Sequence, residues 1–138
     1  MASTDAVRDY WNRHIHDLEI TTHPVGSRGF FADLDQYHFE KLHHLLRLVA
    51  FDGYRGRSVL EVGCGAGVDL ARFAKGGAEV TGVDLAASAI ELARANFEQQ
   101  GLKGLLQVAD GERLPFPDNS FDLVYAHGVV QYLSLIHI

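Results

Sequence analysis

Apolar residues follow two different rhythms along this chain, and the change comes near residue 57. In the first part Val7, Tyr10, Trp11 and Ile15 recur at near-helical spacing behind Ser3 and Thr4. Either hydroxyl can cap a first turn, so a helix is predicted to about His14. The run TTHPVGSRGFF, at 21–31, holds Pro24, Gly26 and Gly29 and predicts a loop that packs down through Phe30 and Phe31. Leu42, Leu45, Leu46 and Val49 then fall at i, i+3, i+4 and i+7, which predicts a helix over about 35–49, ended by FDGYRGR at 51–57.

From Ser58 short apolar runs alternate with amphipathic segments. Strands are predicted near 58–62, 79–83, 105–109 and 121–126, and helices near 67–75 and 86–100. Leu70, Phe73 and Ala74 face inward on the first helix; Ala89, Ile90, Ala93 and Phe97 do so on the second. Gly76–Gly77 and Gly101 stand where helix ends need a left-handed residue. Alternation of this kind predicts an α/β fold with a parallel sheet covered on both faces behind an N-terminal helical arm; as a Rossmann-like doubly wound sheet it would take the strand order 3-2-1-4.

Composition narrows the classes of function. The chain is 47% apolar and 22% charged, which is the balance of an ordinary folded domain and gives no indication of disorder. Its net charge is −6 with both signs interspersed, so no basic stripe favours nucleic acid as a partner. No apolar run approaches the roughly 20 residues that span a bilayer, and MASTDAVRDYW lacks a signal peptide's basic flank and apolar segment. The single cysteine, Cys64, fits a reducing compartment, and a cytoplasmic location is expected. No motif specifies an oligomeric state.

The chemistry concentrates at VLEVGCGAGVDLARFA, 59–74. A buried strand that ends in GCGAG and enters a helix leaves backbone N–H groups free at the turn, where the helix adds partial positive charge. Gly63, Gly65 and Gly67 either supply backbone angles closed to other residues or remove a Cβ where a ligand approaches. A bare strand-to-helix turn would need no more than the first. Two downstream acids favour a ligand: Asp84 ends the second strand 21 residues after Gly63, the separation at which a carboxylate beside the turn accepts both ribose hydroxyls, and Asp110 ends the third. A dinucleotide fold wants G-x-G-x-x-G, whereas G-x-G-x-G stands here behind Glu61. An acid at that place repels a pyrophosphate but suits an α-amino group, which favours a ligand carrying an amino acid and a ribose.

VLEVGCGAGVDL, VTGVDLA and VADGERLPFPDNSFDLVYAHGVV together resemble the successive motifs of the class I S-adenosylmethionine-dependent methyltransferases, and most closely their small-molecule type 11 group, over about Arg57 to Leu133. The resemblance implies S-adenosyl-L-methionine as cofactor and a small-molecule methyl acceptor. It implies that Glu61, Gly63, Gly65 and Gly67 line the methionine part, with Cys64 inside the turn. It places Asp84 on the ribose, Leu85 beside the adenine, and Asp110, Gly111 and Glu112 at the adenine edge. The resemblance also implies that His127, in VYAHGVV, borders the transferred methyl, which makes it the candidate base for an acceptor that must lose a proton. YWN and PVGSRGFF resemble, more loosely, the helical lid that precedes this core in some members.

Other residues invite weaker readings. His14 with His16 and His43 with His44 are spaced so that neither pair chelates readily, and no metal is expected. Tyr10, Trp11, Phe30 and Phe31 either cover the sulfonium or pack the arm on the sheet, and packing is favoured. Arg28 offers a site for an acidic substrate. A non-catalytic nucleoside-binding module and a nicotinamide-dependent oxidoreductase are the competing functions; the latter needs the third glycine one position later.

The expected organisation is an N-terminal arm or lid at 1–56, a partial cofactor-binding core at 57–133 and a non-native tail at 134–138. Four strands of the family's seven are accounted for, and SLIHI resembles translated adaptor sequence, so a truncated fragment, itself inactive, is expected. The apolar LVYA, at 123–126, would then form an open sheet edge prone to association.

Overall fold

Four short strands form one parallel sheet in the order β3-β2-β1-β4. In the computed structural model, which describes residues 22–126, they are β1 (Ser58–Val62), β2 (Glu79–Asp84), β3 (Leu105–Val108) and β4 (Leu123–Tyr125). The helices are α1 (Arg28–Lys41), α2 (Leu45–Leu48), α3 (Val68–Lys75) and α4 (Ala87–Gln99). β1 pairs with β2 through Ser58↔Glu79 to Val62↔Val83 and with β4 through Val59↔Leu123 to Glu61↔Tyr125. Fold class, strand order and the four strand positions agree with the sequence reading. The first helix predicted before residue 15 and the tail at 134–138 lie outside the described residues.

Two expectations for the arm are corrected. Phe30 and Phe31 stand in α1 rather than in a loop, because Ser27 takes the N-cap: its hydroxyl accepts the Phe30 N–H at 3.2 Å and donates to the Pro24 carbonyl at 2.7 Å. The helix predicted over 35–49 is two pieces, for α1 stops at Lys41, the backbone turns through 42–44, and α2 follows. The break leaves the apolar face in use: Leu45 is buried, and Leu42 and Val49 pack beside it, while Leu46 turns out to solvent.

The described helices cover one face of the sheet, not both. β1, β2 and β3 are laid down in one direction, so two right-handed crossovers put α3 and α4 on the same side. There Val59, Val80 and Leu106 meet Leu70, Phe73, Ile90, Ala93 and Phe97. Leu60, Val62 and Val83 line the other face, under Leu114, Phe116 and Phe121 of the long connection to β4. Gly82 shows how closely α3 lies on the sheet, since a Cβ there would stand 2.7 Å from Leu70 Cδ2 and 2.9 Å from Leu106 Cδ2. Gly77 and Gly101 are left-handed as expected, but Gly76 keeps helical angles.

β4 is held at its start by a reciprocal clasp. The Asp122 carboxylate accepts the Ser58 N–H at 2.8 Å and its hydroxyl at 3.2 Å, and the Asp122 N–H returns a bond to Ser58 Oγ at 3.0 Å. That anchors β4 beside β1 and brings its carboxyl end level with the glycine turn.

Candidate functional site

The turn after β1 is built from three left-handed residues, Gly63, Gly65 and Gly67, with φ of 75°, 55° and 78°. The alternating αL positions let the chain fold back, so that the N–H groups of Gly63 and Cys64 both reach the Val83 carbonyl, at 2.8 and 3.0 Å. The glycines divide the two roles that the sequence left open. A Cβ on Gly65 would meet none of the described residues within 4 Å, so among them that position fronts open space; one on Gly67 would press Phe97 and Ala93 at 3.3 and 3.4 Å, so that position serves helix packing. From α4, buried Asn96 donates to the Ala66 carbonyl at 2.9 Å and steadies the turn.

Asp84 ends β2 beside this turn. Its Oδ2 accepts the Gly65 N–H and its Oδ1 accepts the Ala86 N–H, each at 2.9 Å. Burial raises its pKa, and the N–H groups of Ala86, Gly65 and Leu85 pull it back. With these N–H groups on its oxygens, the carboxylate still has acceptor capacity for a hydroxyl donor. The Asp84 carbonyl accepts the Ala109 N–H at 3.0 Å, which sets Asp110 next to it across the strand ends. Asp110 folds its own turn, its Oδ1 accepting the Glu112 N–H at 2.9 Å over buried Gly111. The turn at 63–67, Asp84 with Leu85, and 110–112 therefore lie at one end of the sheet, beyond the carboxyl ends of β1, β2 and β3.

Glu61 is buried on β1. One side of its carboxyl takes the backbone N–H of Leu70, in the first turn of α3, and its Oε1 has no partner among the described residues. Burial, and then the charges of Asp69 and Asp84, push its pKa well above the ordinary carboxylate range. An unpartnered buried carboxyl oxygen and a second acid at the same turn repel phosphate and favour a cation or N–H donors. Cys64 is buried, and burial followed by Glu61 and Asp84 drives its thiol pKa well up, so it holds no thiolate.

Several readings from the sequence resolve on contact partners. Phe30 and Phe31 are buried with Leu34 and Leu92 against Ala66 and Val68, which is core packing of the arm; Tyr10 and Trp11 lie outside the described residues. Arg28 donates to the Gln99 carbonyl at 3.3 Å, a tie between α1 and the end of α4. Among the described residues no three His, Cys, Asp or Glu side chains are grouped to hold a metal, and no helix is long and apolar enough to cross a membrane. His127 lies outside the described residues. The sequence reading missed Asp69, which is buried and accepts from both His38 and Tyr125.

Comparison with known proteins meets this geometry on the same residues, since a family model described as a methyltransferase domain matches 59–137. The chain belongs to the methyltransferase domain family. This methyltransferase domain is 30% identical over 131 residues to phosphoethanolamine N-methyltransferase of Triticum aestivum, covering 94% of the chain and 25% of that relative. It is 34% identical over 97 residues to ubiquinone biosynthesis O-methyltransferase of Alkalilimnicola ehrlichii, covering 66% and 38%. Magnesium protoporphyrin IX methyltransferase from Synechocystis, solved with bound SAH, matches in fold with a TM-score of 0.63 at 20% identity, over 93% of this chain and 59% of that one. The parallel sheet in order 3-2-1-4 gives the methyltransferase domain the Rossmann-like fold of that structure. The chain thus spans well under half the length of these two curated relatives.

Proposed function

We propose that the crevice at the carboxyl ends of β1, β2 and β3 binds S-adenosyl-L-methionine and serves methyl transfer to a small-molecule acceptor. The observation that carries this reading is the Oε1 of buried Glu61, without a partner among the described residues, behind a glycine turn whose Gly65 fronts space that no described residue fills. The donor set suits the group: acids for an ammonium and for ribose hydroxyls, and backbone N–H groups for a carboxylate. In this reading Glu61, Gly63, Gly65 and Gly67 hold the methionine part, Asp84 takes the ribose, and Leu85, Asp110, Gly111 and Glu112 frame the adenine. When bound, the cofactor would supply a methyl activated on a sulfonium, which passes to a nucleophile as the neutral thioether leaves.

The protein's part is alignment and exclusion of water. Asp84 does both jobs of a positioning group, since the bonds it accepts from Gly65 and Ala86 fix it before a ligand arrives. Glu61 offers a negative charge whose desolvation a cation would offset. His127, two residues after Tyr125 in the sequence, is assigned the base role for an acceptor that must lose a proton. The names of the wheat and Alkalilimnicola relatives, one an N- and one an O-methyltransferase of small molecules, support a small-molecule acceptor. A cytoplasmic location is consistent with the lone, buried Cys64. Transfer of tritium from methyl-labelled cofactor to a small-molecule extract tests the reading; binding of the cofactor with no transfer would leave a non-catalytic nucleoside-binding module.

A further inference from the structure

Asp69 is buried in the first turn of α3, where the ligand reading gives it no task. Its two oxygens are divided between elements far apart in the chain. Oδ2 accepts the Tyr125 hydroxyl of β4 at 2.9 Å, and Oδ1 lies 2.7 Å from His38 Nε2 of α1. A carboxylate only accepts, so the imidazole N–H is the donor. One turn along α3, Arg72 donates to both oxygens of Asp35, at 3.2 and 3.0 Å, with its guanidinium 4.0 Å from the Phe39 ring centre. Asp35 and His38 are three apart on α1, as Asp69 and Arg72 are on α3, so two polar rungs join the helices. At the start of α1, Phe30 and Phe31 pack on Ala66 of the glycine turn, Val68 of α3 and Leu92 of α4.

We propose that His38 is a positioning residue that clasps α1 against the glycine turn, acting through Asp69, which the Tyr125 hydroxyl in turn fixes to β4. The Arg72–Asp35 rung is partly open to water and is worth little alone, whereas the His38–Asp69 bond ends on a buried carboxylate. Losing the imidazole would leave Asp69 Oδ1 without this donor inside the fold, and releasing α1 is the local way to rehydrate it. The clasp therefore couples closure of the arm to the walls of the crevice. Its effect on ligand affinity rests on the proposed cofactor reading; its effect on α1 does not.

Hydrogen–deuterium exchange of the whole chain, followed over 28–41, tests the clasp in wild type, His38→Leu and His38→Gln, with and without S-adenosylhomocysteine. In His38→Leu these amides are expected to exchange roughly tenfold or more faster while β1 and β2 keep their protection. His38→Gln, which still carries an N–H donor, should recover most of the difference, and affinity for S-adenosylhomocysteine should weaken in the order wild type, Gln, Leu. Unchanged exchange over 28–41 in His38→Leu overturns the clasp, as does loss of protection throughout the sheet. Failure of the wild type to bind S-adenosylhomocysteine would refute the cofactor reading and the clasp's role in affinity, while the exchange contrast still decides the clasp itself.

Discussion

The Asp84 carboxylate accepts the backbone N–H of Gly65 at 2.9 Å, so the acid that ends β2 holds open the turn that follows β1. Replacing Asp84 with Ala removes the acceptor of backbone N–H groups that include those of Gly65 and Ala86. A loss of about 1–3 kcal/mol in stability is expected from bonds of this kind, discounted for the desolvation that Asp84 itself suffers. Asp84→Asn keeps one oxygen acceptor and should fall between the two in a thermal melt. An Asp84→Ala protein that melts with the wild type would remove Asp84 from the support of the turn.

Glu61→Gln should separate stability from binding. The folded pKa of Glu61 is raised by burial, then by Asp69 and Asp84, so the folded state binds its proton more tightly than the unfolded chain does. Stability is therefore lost as pH rises from the ordinary carboxylate range through neutral. The Gln variant lacks that slope and should melt higher than wild type at pH 8 while binding the cofactor more weakly. A wild-type melting temperature that climbs over the same range, with the Gln variant below it, would contradict the assignment.

Two glycine substitutions should fail in different ways. Gly82→Ala drives a methyl into Leu70, Leu106 and the Cys64 sulfur at 2.7–3.0 Å, so it should cost about 1–3 kcal/mol of stability by overpacking. Gly65→Ala meets no neighbour among the described residues, but its φ of 55° is left-handed, a cost of about 1–2 kcal/mol. Its methyl would also stand in the open space before the turn, so ligand affinity should fall further than stability does. Denaturation and titration of both variants check the contrast, which equal losses of affinity would erase.

The Asp122–Ser58 clasp gives an acid-side prediction. Accepting the Ser58 N–H and hydroxyl holds the Asp122 carboxyl below its ordinary pKa. Such a group contributes stability above the ordinary Asp value of about 4 and loses it as pH falls through the folded value. Asp122→Ala should flatten the acid limb of melting temperature against pH, with β4 exchanging faster than β2; an unaltered acid limb would count against the clasp.

Much of this was legible because the signals are local. Strand β1, the turn at 63–67 and Asp84 at the end of β2 follow from an apolar run, three alternate glycines and a 21-residue step. The boundary of α1 was also written locally, in Ser27 three residues before Phe30, but Pro24, Gly26 and Gly29 drew the reading to a loop. The break at 42–44 was hidden because Leu42, Leu45 and Val49 reach the core from two helical pieces as well as from one. Asp69 was not legible at all. Its partners lie 31 and 56 residues away, on α1 and β4, and no spacing rule joins a histidine, an aspartate and a tyrosine across three elements.

Calorimetric titration of this protein with S-adenosylhomocysteine tests the central claim most directly. One saturable site per chain is expected, lost in Asp84→Ala, with no heat from NADH over the same range. Absence of binding at millimolar S-adenosylhomocysteine, or saturable binding of NADH in its place, would contradict the account.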